Sequence, residues 1–286
     1  MNKVGSQQID RLIEAVLASS KYKSIHIDFI RYIGTQELTR QHNLKEAIKS
    51  TKNKLHQVGG AYQTGTPRYS VWLDELKYAK RSGNKAHFLD TCKWIMEHHS
   101  STRERLPVLE QFYSTILADL PPINSVIDIA CGLHPLAIPW MPLSEYVQYY
   151  AYDIYEDMIG FLNDCIALMP VQGYGIASDV IHNRPMQKVD VAFILKAIPC
   201  LEQVDKSAGL RLLETINTDH LVVSFPAHSL GGKNKGMATN YETRFYEQVA
   251  NKPWSIQRFV FPGELVFLVS KSKTLPEEIS RKMRGM

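Results

Sequence analysis

The sequence has few cysteines, and their spacing excludes two classes of stabilised protein. Only 4 of its 286 residues are cysteine, namely Cys92, Cys131, Cys165 and Cys200. None forms a C-x-x-C pair, and their positions match neither a zinc site nor a disulfide framework. We therefore expect reduced thiols, no bound metal and a reducing compartment.

Long apolar runs and the common nucleotide-binding motifs are also missing. No run approaches the ~20 uninterrupted apolar residues of a transmembrane helix, and residues 1–7 lack the apolar core of a signal peptide. The complete G-x-G-x-x-G of dinucleotide-binding dehydrogenases is absent, and the Gly-rich segment 229–237 lacks Walker spacing. We therefore expect a cytoplasmic protein with no membrane contact.

The charge is distributed unevenly along a chain of ordinary globular composition, 44% hydrophobic and 22% charged. Residues 1–107 contain 18 Lys and Arg against 10 Asp and Glu, a net charge of +8. Residues 108–286 contain 15 against 19, a net charge of −4. The basic part favours contact with a polyanion, and the alternative is an ordinary solvated helix face.

Hydrophobic periodicity predicts a helical domain over residues 1–107 and an α/β domain over residues 108–286. The predicted helices of the first domain cover residues 7–20, 24–32, a short piece from 35, 43–55 and 70–100. The predicted strands of the second cover 125–130, 148–152, 173–177, 189–195, 220–225, 256–261 and 265–269. Helical connectors followed by a final hairpin predict a doubly wound, Rossmann-like sheet of seven strands with the last one antiparallel. This reversed strand is a feature of class I AdoMet-dependent methyltransferases.

The turn after the first predicted strand has the composition of a nucleotide-binding loop. The strand contains Asp128 and runs directly into Ala130, Cys131 and Gly132. Small residues let backbone N–H groups approach a ligand closely. The alternative is a buried strand that ends in a tight turn.

Acidic residues end the next two strands. Asp153 stands where doubly wound folds bind ribose hydroxyls, or it is a helix cap. Asp179 lies where an adenine amino group would be bound, or it is a turn residue.

Lys196 ends the fourth strand, where it would pair with Glu202 or contact a substrate base. A structural salt bridge is the alternative reading.

Two further segments carry clustered cationic or polar groups. Residues 98–107 contain two histidines with Arg103 and Arg105, and an arginine there would clamp the methionyl carboxylate of a cofactor in bidentate fashion. The segment 229–237, followed by Arg244, would contact a phosphate backbone, with Met237 wedged against a base. An inert surface loop is the alternative.

Several motifs in order resemble the aminoglycoside-resistance 16S ribosomal RNA methyltransferases that modify a decoding-site guanine at N7. They are residues 99–107 (HSSTRERLP), 128–137 (DIACGLHPLA), 152–153 (YD), 196–203 (KAIPCLEQ) and 229–237 (SLGGKNKGM). The resemblance implies S-adenosyl-L-methionine as cofactor, the 30S subunit as substrate and aminoglycoside resistance as the outcome. His134 departs from the generic methyltransferase loop, which has a third glycine there.

The resemblance also implies roles for individual residues. The cofactor-binding set is His99, Thr102, Arg103, Arg105, Ala130, Asp153, Asp179, Val180, Leu195 and Gln203. The expected catalytic pair is Lys196 and Glu202, with Lys196 donating a hydrogen bond to guanine O6. The expected RNA-binding set is Lys21, Lys23, Lys49, Lys52, Lys54, Arg68, Lys233, Lys235, Met237 and Arg244.

The chemistry implied is simple, because guanine N7 carries a free lone pair and needs no general base. In-line positioning and exclusion of water would suffice once the base is flipped out of its helix. We expect the protein to act as a monomer. The alternatives are methylation of the neighbouring adenine N1, methylation of a non-RNA substrate, and RNA binding without catalysis.

Overall fold

Helices occupy the first part of the chain and pack against one edge of a sheet formed by the rest. The computed structural model describes residues 3–60, 62, 65–227 and 237–271. The helices before the sheet are α1 (Lys3–Leu17), α2 (Ile27–Arg40), α3 (Leu44–Leu55), α4 (Tyr69–Arg81), α5 (Lys85–Met96), α6 (Ser100–Arg105) and α7 (Leu109–Ile116). A π-helical turn, His56–Gly60, follows α3.

The helix bounds differ from the sequence prediction at two breaks. The predicted helix 24–32 and the short piece after it are one helix that begins at Ile27. The predicted helix 70–100 is divided, because Gly83 adopts a φ of +68° and Asn84 caps α5 by accepting a hydrogen bond from the His87 backbone N–H. A left-handed glycine followed by an Asn cap ends one helix and begins the next.

The sheet has seven strands in the order β3-β2-β1-β4-β5-β7-β6. The strands are β1 (Ser125–Ile129), β2 (Gln148–Asp153), β3 (Gln172–Ala177), β4 (Val189–Leu195), β5 (Thr218–Pro226), β6 (Ser255–Phe261) and β7 (Glu264–Ser270). Strands β1 to β5 are parallel, and β7 is antiparallel to both β5 and β6. The predicted fold class, with its reversed last strand, is confirmed.

The helices that accompany these strands in the described residues are α8 (Glu156–Ile166), α9 (Ile198–Val204), α10 (Ala208–Thr215) and α11 (Met237–Val249). Strands β1 and β4 are almost fully buried because both faces of the sheet are covered, which explains their continuous apolar runs. The chain leaves β3 at one edge and returns as β4 on the other side of β1. Such a reversal opens a crevice beyond the carboxyl ends of the strands.

Backbone hydrogen bonds connect the helical region to the residues that follow the carboxyl end of β2. His26 N–H donates to the Ile154 carbonyl (2.8 Å), and Glu156 N–H donates to the Ser24 carbonyl (2.7 Å). Ile25 also forms an isolated antiparallel bridge with Tyr155. The basic part of the chain is therefore held directly over the crevice.

The four cysteines are all free and buried. Among the described residues, no helix is both long enough and apolar enough to span a bilayer.

Candidate active site

A cleft of about 910 Å³, its open mouth included, lies between the carboxyl edge of the sheet and the helical region. Phe29 and Tyr62 line it from the helical side, and Met158 lines it from α8. Its lining also includes eight of the residues predicted to bind cofactor or substrate: His99, Arg105, Ala130, Asp153, Asp179, Val180, Leu195 and Lys196. The fold thus brings together residues from β1, β2, β4 and the segment before α7.

The loop after β1 is a tight, strained turn that comes close to a histidine ring. Ala130 has a φ of +50° and Gly132 a φ of +52°, a region that costs L-residues energy and is typical of functional sites. A Cβ on Gly132 would lie 2.7 Å from Cε1 of His99. A side chain at this position would clash with His99, so glycine lets the loop and the histidine ring pack closely together.

Asp153 connects the loop after β1 to the loop after β2 by hydrogen bonds. Its Oδ2 accepts a hydrogen bond from Gly132 N–H (2.9 Å), and its Oδ1 accepts one from Ile154 N–H (2.7 Å). Burial raises the pKa of this carboxyl to about 6, although the backbone donors oppose the shift. The remaining lone pairs of the carboxylate are suited to bind hydroxyl groups.

His134 braces the same loop from below. Its Nδ1 lies 2.7 Å from Asp128 Oδ2, and its Nε2 lies 2.7 Å from the Tyr113 hydroxyl. The Tyr149 hydroxyl donates to the same Asp128 oxygen (2.8 Å). Burial raises the pKa of both tyrosines, so these hydroxyls keep their protons. The histidine that departs from the generic loop is therefore part of a buried hydrogen-bond network that fixes the loop.

Arg105 forms a bidentate ion pair with a carboxylate that sequence reasoning missed. Its Nε and Nη2 donate to the two oxygens of Glu264, at 3.1 and 2.6 Å, and both side chains are almost fully buried. Ser224 donates to the same carboxylate (2.5 Å). Although burial opposes it, the two cations Arg105 and Lys196 hold the pKa of Glu264 below its usual value. The Nε–Nη2 edge of the Arg105 guanidinium is thus occupied by Glu264, and the predicted bidentate clamping of a cofactor carboxylate by Arg105 stays a prediction.

Lys196 lies at the end of β4 in a left-handed conformation, with a φ of +58°. Its Nζ lies 2.6 Å from Glu104 Oε2 and 3.6 Å from Glu264 Oε2. The predicted pair with Glu202 is wrong. Glu202 is on the far side of α9, where it binds Arg244 of α11 (2.9 Å) and accepts a hydrogen bond from Gln248 (3.2 Å). Glu202 is not among the residues that line the cleft.

His99 contributes an uncharged imidazole to the cleft. Burial, together with the nearby cations Arg105, Lys196 and Arg103, lowers the pKa of His99 to about 4. Its Nδ1 is buried and has no hydrogen-bond partner among the described residues. Buried polar atoms normally have partners, so this nitrogen points to a ligand that completes the site.

Asp179, at the loop after β3, is buried and already engaged on both oxygens. Its Oδ1 accepts a hydrogen bond from Ile181 N–H (3.0 Å), and its Oδ2 lies 2.5 Å from His182 Nδ1. The Tyr32 ring packs against His182, with ring centroids 3.8 Å apart. The predicted contact of Asp179 with an adenine amino group stays a prediction.

Three residues of the predicted cofactor set do not line the cleft. The Thr102 hydroxyl donates to the carbonyls of Met96 (2.6 Å) and His99 (3.0 Å), which fixes the turn between α5 and α6. Arg103 and Gln203 are exposed to solvent. Thr102 is therefore in a position to orient the His99 segment.

Eight of the predicted RNA-binding residues are described by the structure, six of them in the helical region before the sheet and two on α11. Lys21, Lys23, Lys49 and Arg68 are exposed, and Lys52 is half-buried. Lys54 is already paired with the buried Glu37 (3.1 Å). Met237 begins α11, and Arg244 lies on it. Lys233 and Lys235 fall outside the described residues.

Comparison with known proteins identifies the family of this chain. The ribosomal RNA methyltransferase (FmrO) family matches residues 18–268. The chain belongs to this family. The predicted family is therefore confirmed, and the protein is an rRNA methyltransferase by descent.

Individual relatives are similar to this chain over nearly its full length. The 16S rRNA (guanine(1405)-N(7))-methyltransferase of Micromonospora rosea is 33% identical over 269 residues, which cover 93% of this chain and 98% of the relative. The structure of the 16S rRNA methylase RmtB is 26% identical with a TM-score of 0.74 and covers 92% of this chain and 98% of its own. The structure of 16S rRNA methyltransferase RmtF in complex with S-adenosyl-L-homocysteine is 25% identical with a TM-score of 0.75, covering 95% and 100%.

Proposed function

We propose that the protein transfers a methyl group from S-adenosyl-L-methionine to N7 of guanine 1405 in 16S rRNA, within the decoding site of the 30S subunit, and that it thereby confers aminoglycoside resistance. The name of the Micromonospora rosea relative gives methylation of guanine 1405 at N7 in 16S rRNA, and the names of RmtB and RmtF give methylation of 16S rRNA. The observation that carries the proposal is a preformed cleft at the carboxyl edge of the sheet, with the basic helical region held over it.

The residues of the cleft fit the cofactor. Asp153 offers a buried acceptor for ribose hydroxyls, and His99 Nδ1 lacks a partner among the described residues. We assign Ala130, Asp153, Asp179, Val180 and Leu195 to the cofactor pocket, with His99 and Arg105 beside its methionyl end. S-adenosyl-L-methionine, when bound, supplies a methyl group activated by the positive charge on sulfur.

The residues of this chain then have three tasks, none of which requires proton removal. The strained loop after β1 and the Asp153 carboxylate hold the cofactor side of the cleft in place. Lys196, which is 5% exposed, donates a hydrogen bond to guanine O6 and presents the neighbouring N7. The apolar walls, among them Phe29 and Met158, exclude water. Positioning and water exclusion are the main sources of the rate enhancement.

The helical region delivers the substrate. Folded RNA is recognised largely through its shape and phosphates, and exposed lysines such as Lys21, Lys23 and Lys49 supply the charge. Guanine N7 is crowded inside a helix, so we infer that the base is flipped into the cleft. We infer that the protein acts as a monomer on the intact subunit.

The test is to incubate intact 30S subunits with the protein and S-adenosyl-L-methionine and then map the modification. Borohydride and aniline cleave RNA at N7-methylguanine, and primer extension locates the cleavage. We expect one new stop, at guanine 1405, and loss of gentamicin sensitivity in bacteria that express the protein. A primer-extension stop at the neighbouring adenine that does not depend on aniline would show N1 methylation instead, and unmodified subunits would refute the proposal.

A further inference from the structure

We propose that Glu104 is a specificity-determining residue, whose carboxylate accepts hydrogen bonds from the N1–H and the 2-amino group of the target guanine while Lys196 donates to O6. This inference rests on the proposed function and deepens it. It concerns a residue that sequence reasoning did not single out. Its basis is the contact between Lys196 Nζ and Glu104 Oε2, at 2.6 Å.

The sheet topology places the methyl acceptor near this contact. The loops after β1, β2 and β3 form the cofactor side of the cleft, and β4 lies on the opposite side of β1. Lys196 follows β4 directly and is held there in a left-handed conformation. Strain of this kind persists where the surrounding structure requires it and is common at functional sites.

Glu104 reaches the same place from helix α6. Residues three positions apart share one face of a helix, and Ser101, three positions before Glu104, lines the cleft. The Glu104 side chain is 41% exposed, whereas that of Lys196 is 5% exposed. Glu104 is not itself among the residues that line the cleft, but its carboxylate lies 2.6 Å from the Lys196 ammonium, which does line it. We infer that the carboxylate is within reach of a base that contacts Lys196.

The buried charges leave Glu104 as the main counter-ion of Lys196. Arg105 and Ser224 occupy both oxygens of Glu264, which is 3.6 Å from the Lys196 ammonium. An ammonium has three donors and a carboxylate has about four acceptor positions. The Lys196–Glu104 contact uses one of each, so both groups can also bind a substrate.

The two groups match the edge of guanine and mismatch that of adenine. Guanine presents the O6 acceptor next to the N1–H and 2-amino donors, and adenine presents the N6 amino donor next to an N1 acceptor. Adjacent groups on the protein, one donor and one acceptor, suit adjacent atoms on guanine. With adenine the ammonium would face a donor and the carboxylate an acceptor, and unpaired polar groups at a closed site are costly.

The experiment compares guanosine with inosine, which lacks only the 2-amino group. Small subunits are reconstituted from 16S rRNA ligated around a synthetic segment that carries either base at the target position. The wild-type protein should methylate the guanosine subunits faster by about tenfold or more, the worth of one hydrogen bond to a charged group. Glu104→Gln should lower the rate on guanosine and bring the guanosine-to-inosine ratio close to one, because its amide NH₂ meets the 2-amino group.

Matched variants separate recognition from structure. Glu104→Asp keeps the carboxylate and should keep the guanosine preference, and Glu97→Gln, an exposed glutamate at the end of α5, should behave as wild type. Because Glu104→Gln also removes the main counter-ion of Lys196, all rates are compared at saturating S-adenosyl-L-methionine, and thermal unfolding checks that each variant is folded. Equal losses on both substrates, with the ratio unchanged, would overturn the inference while the proposed function stood. A wild-type protein inactive on guanosine subunits would instead refute the function and the inference with it.

Discussion

Removing the negative charge from Glu264 should destabilise the protein strongly, because it leaves a buried cation without a counter-ion. The Arg105 side chain is 1% exposed and that of Glu264 is 3% exposed, with 2.6 Å between Nη2 and Oε1. Glu264→Gln preserves the shape of the side chain and removes only its charge. Breaking a buried ion pair by neutralising one partner costs about 3–5 kcal/mol.

The magnitude can be compared directly with a surface pair of the same geometry. Glu242 and Arg258 also form a bidentate contact, with distances of 2.6 and 3.0 Å, but their side chains are 28% and 44% exposed. Pairs of that kind contribute about 0–1 kcal/mol. The difference between Glu264→Gln and Glu242→Gln therefore isolates the effect of burial at constant hydrogen-bond geometry.

The assay is urea unfolding of wild type and both variants, with thermal melts as a second measurement. At about 2–4 °C per kcal/mol for a chain of this size, Glu264→Gln should lower Tm by roughly 6–20 °C, and Glu242→Gln by a few degrees at most. Added salt should weaken only the surface pair. Similar losses of unfolding free energy in the two variants, or a loss under about 1 kcal/mol in Glu264→Gln, would refute this prediction. The buried Arg105–Glu264 ion pair would then not stabilise the fold more than a surface pair does.

Three further outcomes follow from the site. S-adenosyl-L-methionine affinity, measured by calorimetry, should fall as the pH drops through about 6, because Asp153, with its raised pKa, must be ionised to accept ribose hydroxyls; an equally steep profile in Asp153→Asn would contradict this. Gly132→Ala should weaken cofactor binding and stability more than Gly263→Ala. Both glycines have a positive φ, but only at position 132 would the added Cβ lie 2.7 Å from the His99 ring. Equal losses of cofactor affinity and stability in the two variants would contradict this prediction. Lys49→Ala with Lys52→Ala should reduce the salt dependence of 30S binding by about two units of slope without changing cofactor affinity, and an unchanged slope would remove these lysines from the interface.

Local patterns in the sequence were sufficient to predict the sheet and one side of its cleft. Buried parallel strands need apolar runs, and polar residues that end such runs emerge together at the carboxyl edge. Asp153 and Lys196 were predicted to lie at this edge on that ground, and both line the cleft. The loop after β1 was predicted from Ala130 and Gly132, whose positive φ angles require small or strained residues.

The ion pairs of Lys196 could not be predicted from neighbouring residues in the sequence. Glu202 is the nearest acidic residue after Lys196, but helix α9 turns it towards α11. The true partners, Glu104 and Glu264, lie 92 and 68 residues away along the chain. The sequence around Glu264 does contain a signal for its pairing. An acidic residue that begins the apolar strand ELVFLVS will be buried, and a buried carboxylate requires a cation.

The pairing of charges also explains how a cleft lined by cations can accept a sulfonium. Like charges repel one another, and the repulsion is screened less in a protein cleft than in water, so unpaired Arg105 and Lys196 would oppose binding of the sulfonium. Glu264 and Glu104 neutralise both. His99 adds no charge above pH 5, because its pKa is lowered to about 4. The hydrogen-bond donors of this edge therefore remain available to the cofactor and the base, while its net field does not repel the methyl donor.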